Sequence, residues 1–176
     1  MRRFSRIFAW TTLFFVAGAV LFFTKAAALP YKVAWPVLLL SLATFLSRRR
    51  ELLPFGFAFL FSAAGDAVGA RGLFIPQMAF FALAHAAYVC WFLPRARRRL
   101  RAVSLAVTVP LLVFLFAAIV PEAPFPAERI GVAVYGLVIA AMLYSALQYD
   151  GACAAGFRCA ALLLSLIHIS EPTRPY

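Results

Sequence analysis

The stretch LLPFGFAFLFSAAGDAVGA, residues 52–70, decides the fold. It is an almost unbroken run of apolar and small side chains, close to the ~20 residues a helix needs to cross a hydrocarbon core. It carries a single ionisable group, Asp66. A charged side chain at membrane depth costs roughly 2.5–3.5 kcal/mol on insertion scales, so it is retained where chemistry, transport or a buried partner needs it. A short link, Arg71-Gly72, leads into LFIPQMAFFALAHAAYVCWFL, residues 73–93, which places His85 and Tyr88 inside a second apolar run.

Working outward, further apolar segments cover about 8–29, 33–46, 103–120 and 130–147, and another begins near residue 152. The 176 residues are 65% hydrophobic and 13% charged, whereas a soluble domain is nearer half apolar and a quarter charged. The mean hydropathy is +0.94. None of the segments shows the strict alternation of a barrel strand, and lipid cannot satisfy open backbone groups. The pattern predicts an all-α, polytopic transmembrane helix bundle, with six complete spans and a seventh cut short. Residues 1–163 read as one transmembrane helical domain.

The net charge of +11 suggests nucleic acid at first sight, but its placement argues against that. Twelve Lys and Arg residues fall before the first segment or in the connections after the second, fourth and sixth; four fall in the alternate connections. This is a positive-inside pattern, expected of a multi-pass protein of the cell (inner) membrane with a cytoplasmic N-terminus. Its partners would be membrane lipids and no nucleic acid. The first segment is longer than a signal-peptide core and reads as a span. Cys90, Cys153 and Cys159 have neither CxxC spacing nor a histidine cluster nearby, and read as soft packing residues. Trp10, Trp35 and Trp91 lie near segment ends, where interfacial anchors sit.

Helical spacing sorts the remaining candidates. Ser62, Asp66 and Gly69 share one face, as do Gln77, Phe81, His85 and Tyr88. Gly56, Ala63 and Gly65 are small enough to let a neighbouring helix approach closely. The link at 70–72 is so short that the two segments must form an antiparallel hairpin. Counting in from its ends puts Asp66 and His85 about 12 Å apart in depth, at 1.5 Å per residue. Two groups lining one cavity is the reading this favours over a direct bond. Lys32 at an aqueous boundary reads as a snorkelling lysine. Tyr135 and Met142, seven residues apart, read as packing. No residue pattern requires a metal or a cofactor.

The order of these elements resembles the YhhN family of lysoplasmalogenase-like membrane proteins. The likeness rests on Tyr31-Lys32 opening the second span, Phe61-Ser62-Ala63-Ala64-Gly65-Asp66 in the third and Phe80-Phe81-Ala82-Leu83-Ala84-His85-Ala86-Ala87-Tyr88 in the fourth. The run Val132-Ala133-Val134-Tyr135-Gly136 resembles the family's sixth-helix pattern. Val33 stands where the family usually has proline. The resemblance implies a membrane hydrolase that cleaves the vinyl-ether bond of a lysophospholipid to a fatty aldehyde and a glycerophospho-alcohol. Asp66 and His85 would be catalytic; Lys32, Ser62, Gln77, Tyr88 and Tyr135 would contact the substrate. Enol-ether hydrolysis needs a proton delivered to carbon and a water activated nearby, tasks that paired carboxyl groups perform in glycosidases.

The family's second aspartate, in a Ser-Asp pair of the seventh helix, is absent from this chain, as is an eighth helix. Residues from about 164 to 176 resemble the translation of a sequencing-library adapter. On that reading the natural chain stops being represented near Leu163, and the polypeptide itself is expected to be inactive. A rival class is a non-enzymatic membrane protein, either a proton-coupled transporter or a lipid-binding scaffold. Pro110 interrupts the fifth segment without a counterpart elsewhere, and no internal repeat supports alternating access.

Overall fold

The structure, a computed structural model, describes residues 13, 16, 17, 20 and 34–170. The first segment and Lys32 therefore lie largely or wholly outside the described residues. Among the described residues six named α-helices follow one another: α1 Trp35–Leu46, α2 Leu53–Gly69, α3 Phe74–Phe92, α4 Arg101–Phe114, α5 Pro126–Leu147 and α6 Ala154–Ser170. No strand occurs among the described residues. Among the described residues four helical stretches are long and apolar enough to cross a membrane: Arg50–Gly69, Phe74–Arg95, Arg98–Glu122 and Pro126–Leu147. Trp35–Leu46 and Ala154–Leu166 are shorter apolar helices. The chain is all-α with apolar helices, consistent with the membrane protein expected from composition; of the six complete spans counted in the sequence, four lie in described stretches of that length.

Local chemistry sets the helix ends. Proline opens α1, α2 and α5 at the first or second position, where its missing N–H leaves no intrahelical bond unmade. Glu128 lies in the first turn of α5, favourable to the helix dipole. Gly72 turns the chain between α2 and α3 with φ +71, and its N–H donates to the Gly69 carbonyl at 2.8 Å. A left-handed residue at this point is the usual way a helix stops, and glycine adopts it without a Cβ penalty. Pro110 does not break α4, which continues around it. The helix widens instead at Leu115–Ile119, one broad turn placed against Gly136 of α5, where the Leu115 side chain occupies the space of a Cβ.

The chain divides into two compact units, residues 1–87 and 88–176, with the boundary inside α3. In the first, α1 packs along α2. Ser41 Oγ donates across to the Gly56 carbonyl at 2.9 Å, and the Phe45 ring lies 2.8 Å from the point where a Gly56 Cβ would stand. In the second, α5 packs against both α4 and α6 and buries Val132, Tyr135, Ile139, Met142 and Leu143. Tyr135 and Met142 are thus core residues, as their spacing suggested. Trp91 is buried against Phe92, Tyr149 and Phe157, not set out as an interfacial anchor. The three cysteines are exposed, so they do not pack the interior.

Candidate functional site

Two glycines of α2 set the register of the hairpin. A Cβ on Gly65 would stand 2.8 Å from the Phe81 ring, and one on Gly69 would meet the Gln77 amide, with its carbon at 2.5 Å. The face of α3 that carries Gln77, Phe81 and His85 therefore lies on the side of α2 that carries Gly65 and Gly69. Of the two faces singled out by helical spacing, Gly69 of one meets Gln77 of the other, while Gly65, which Phe81 covers, stands about 100° around α2 from Asp66. Counting from these contacts, Asp66 lies level with Phe80 and His85 with Phe61, an offset of five residues or about 7.5 Å. This is smaller than the depth difference counted from the helix ends, because the first turn of α3 extends past the end of α2.

Asp66 and Ser62 are half-buried on α2, and Gln77 is half-buried on α3. His85 is 1% exposed. Its Nδ1 is 2.7 Å from the Phe81 carbonyl. A carbonyl oxygen can only accept, so Nδ1 carries a proton, and in the neutral form of the ring the lone pair is on Nε2. The i−4 bond to Phe81 thus fixes both the tautomer and the direction of the ring. Phe81 serves twice, seating its ring on Gly65 and its carbonyl on His85.

Tyr88 and Tyr135 belong to the second unit, Tyr88 half-buried and Tyr135 buried. Among the described residues no three His, Cys, Asp or Glu side chains are grouped as metal ligands would be.

A groove of about 340 Å³ lies between α1 and α2, lined by Ala34, Trp35, Leu38, Leu60, Ala63, Ala64 and Ala67. Its lining is wholly apolar. Ala63 and Ala67 stand about 60° and 100° around the helix from Asp66, at 100° per residue. The groove thus flanks the carboxylate without containing it. Sequence spacing did not reveal this feature, since alanines facing a gap and alanines facing a helix have the same periodicity.

A family model matches residues 27–170. The chain belongs to the YhhN family. No curated protein and no solved structure matches the chain significantly. The YhhN match includes every candidate named above, from Lys32 to Tyr135, and runs through α6 to its last residue.

Proposed function

We propose that this YhhN protein is a hydrolase of the lysoplasmalogenase type, held in the inner membrane with a cytoplasmic N-terminus. Its substrate would be a lysophospholipid with a vinyl-ether chain, R–CH=CH–O–R′. The Asp66 carboxylic acid donates its proton to the outer vinyl carbon, leaving a carboxylate beside an oxocarbenium ion. Water adds to that ion while a partner carboxylate, the family's seventh-helix aspartate, takes its proton. The resulting hemiacetal collapses: the partner returns its proton to the departing glycerol oxygen, and the hemiacetal hydroxyl returns one to Asp66. The products are R–CH2–CHO and HO–R′.

The observation that carries this reading is the hairpin itself, which puts Asp66 and a His85 oriented by the Phe81 carbonyl on facing helices. Their levels are offset by about 7.5 Å along the helices, so a water could stand between the acid and the acceptor. His85 Nε2 would accept a hydrogen bond from that water and aim it. Ser62, Gln77 and Lys32 would contact the head group and glycerol. The apolar groove beside Ala63 and Ala67 would take the alkenyl chain, as ligand sites with mostly apolar walls and few polar groups do.

The test is aldehyde release from a 1-alkenyl lysophospholipid in proteoliposomes, using protein that carries the Ser-Asp pair in its seventh helix. Activity abolished by Asp66→Asn supports the assignment; undiminished activity ends it. Proton flux without aldehyde would favour a transporter instead.

A further inference from the structure

The connection from Leu93 to Arg101 holds Arg95, Arg97, Arg98, Arg99 and Arg101. It lies beside the corner between α5 and α6, where Ala96 pairs with Tyr149 in an antiparallel bridge and the Arg97 N–H donates to the Gln148 carbonyl at 2.9 Å. Between the two strands of chain is a cavity of about 360 Å³, lined by residues 94–97 and 149–151.

Its walls are firmly held. The Tyr149 ring packs on Trp91 at 5.1 Å and Phe157 at 5.5 Å. Arg95 stacks 4.5 Å above the Trp91 ring and donates to the Trp91 carbonyl at 2.7 Å. Arg158 donates to the Tyr149 carbonyl at 2.6 Å. Asp150 is the one acid in the lining, and it is already shared by Arg99 and by Arg158, the latter at 3.8 Å. Arg97 also lines the cavity and has no acidic partner among the described residues, nor do Arg98 and Arg101. The surplus charge is therefore positive.

We infer that this cavity binds a phosphate-bearing anion, supplied by the head group of an anionic phospholipid. A guanidinium fork matches phosphate oxygens in a way a point charge does not. The size suits a head group and exceeds what a single ion needs. Leu93 and Val103 expose apolar side chains within two residues of these arginines, so acyl chains and charge meet at the same place. Basic pockets at helix ends are known to hold anionic head groups. The inference does not depend on the hydrolase reading.

The full chain, purified in detergent from mixed phosphatidylglycerol and phosphatidylcholine, is assayed by native mass spectrometry for retained lipid. Phosphatidylglycerol should be enriched. Arg97→Gln should lower that enrichment about fivefold, as expected for one charge at an anionic surface. Arg97→Lys, which keeps the charge but loses the fork, should retain only part of it, and Arg50→Gln, outside the cavity, should leave it unchanged. Circular dichroism checks that each variant is folded. Equal losses with Arg97→Gln and Arg50→Gln would mean diffuse attraction and overturn the site. So would no loss with either. Inorganic phosphate that raises thermal stability as much as phosphatidylglycerol does would assign the cavity to a soluble anion and overturn the lipid source.

Discussion

Helices α2 and α5 are alike in length and apolar character but are held in opposite ways. Across an 18-residue apolar stretch of each, 56% of the residues are buried in the span of α5 against 22% in that of α2. The buried residues of α5 include Val132, Tyr135, Ile139, Met142 and Leu143, which fill space. Those of α2 are Gly56, Ala58, Ala63 and Gly65, which leave space for the side chains of α1 and α3. In lipid there is no hydrophobic drive between helices, so both solutions rest on contact quality. The difference matters for the site. A helix packed through small residues can keep Asp66 and Ser62 half-buried on the same rod, whereas a helix packed by bulk has no such opening. Substitutions in α5 should register as lost stability, and those at Asp66 as lost activity.

The largest expected effect breaks that contrast from the α2 side. In protein that carries the seventh-helix Ser-Asp pair, Asp66→Asn should lower aldehyde release by about 10²–10⁴-fold, the range for losing a general acid. The unfolding midpoint should stay close to the parent's. A collapse of stability with Asp66→Asn would instead make the aspartate a packing residue.

From the α5 side, Leu143→Ala should cost about 2–5 kcal/mol, since Leu143 is 1% exposed and its removal leaves a cavity. Unfolding in mixed micelles with rising denaturing detergent measures this. The remaining folded fraction should keep the substrate affinity of the parent. A cost below about 1 kcal/mol would mean that α5 is not the packing core its burial indicates.

Gly65→Ala tests how α2 is held. The added methyl meets the Phe81 ring, and overpacking of this kind costs about 1–3 kcal/mol. Shortening the ring with Phe81→Leu should recover part of the loss in the double variant, because residues in contact are not additive. Additive losses would mean that the ring does not rest on Gly65. Because the Phe81 carbonyl holds His85, Gly65→Ala should also alter catalysis more than its stability cost explains.

Much of this contrast is legible in the sequence. The solitary Asp66, the short link at 70–72 and the two faces through Gly69 and His85 follow from composition and the 3.6-residue period. What was not legible depends on residues far apart in the chain. Trp91 near a segment end reads as an anchor; only Tyr149 and Phe157, more than fifty residues on, make it a buried one. The corner that pairs Ala96 with Tyr149 has no periodicity to detect. Pro110 reads as a helix break, yet α4 continues and the irregularity falls a turn later at Leu115–Ile119, where Leu115 faces Gly136. The Asp66–His85 offset needed the specific seats of Phe81 and Gln77, since spacing within one helix says nothing about register against the next.

The smallest expected effect concerns the seam between α1 and α2. Ser41 is 2% exposed and its hydroxyl donates to the Gly56 carbonyl at 2.9 Å. One turn on, Phe45 rests on the same glycine. An interhelical hydrogen bond in a membrane contributes on average only about 0.6 kcal/mol, because the separated helices find other partners for the same groups. Ser41→Ala should therefore cost about that much, and less than Gly56→Ala, whose methyl collides with the Phe45 ring. The order of the two decides what holds the seam. If Ser41→Ala proved the costlier change, α1 would be fixed to α2 mainly by polarity, and the contrast between a helix joined through absent side chains and one joined through bulky ones would fail at this interface.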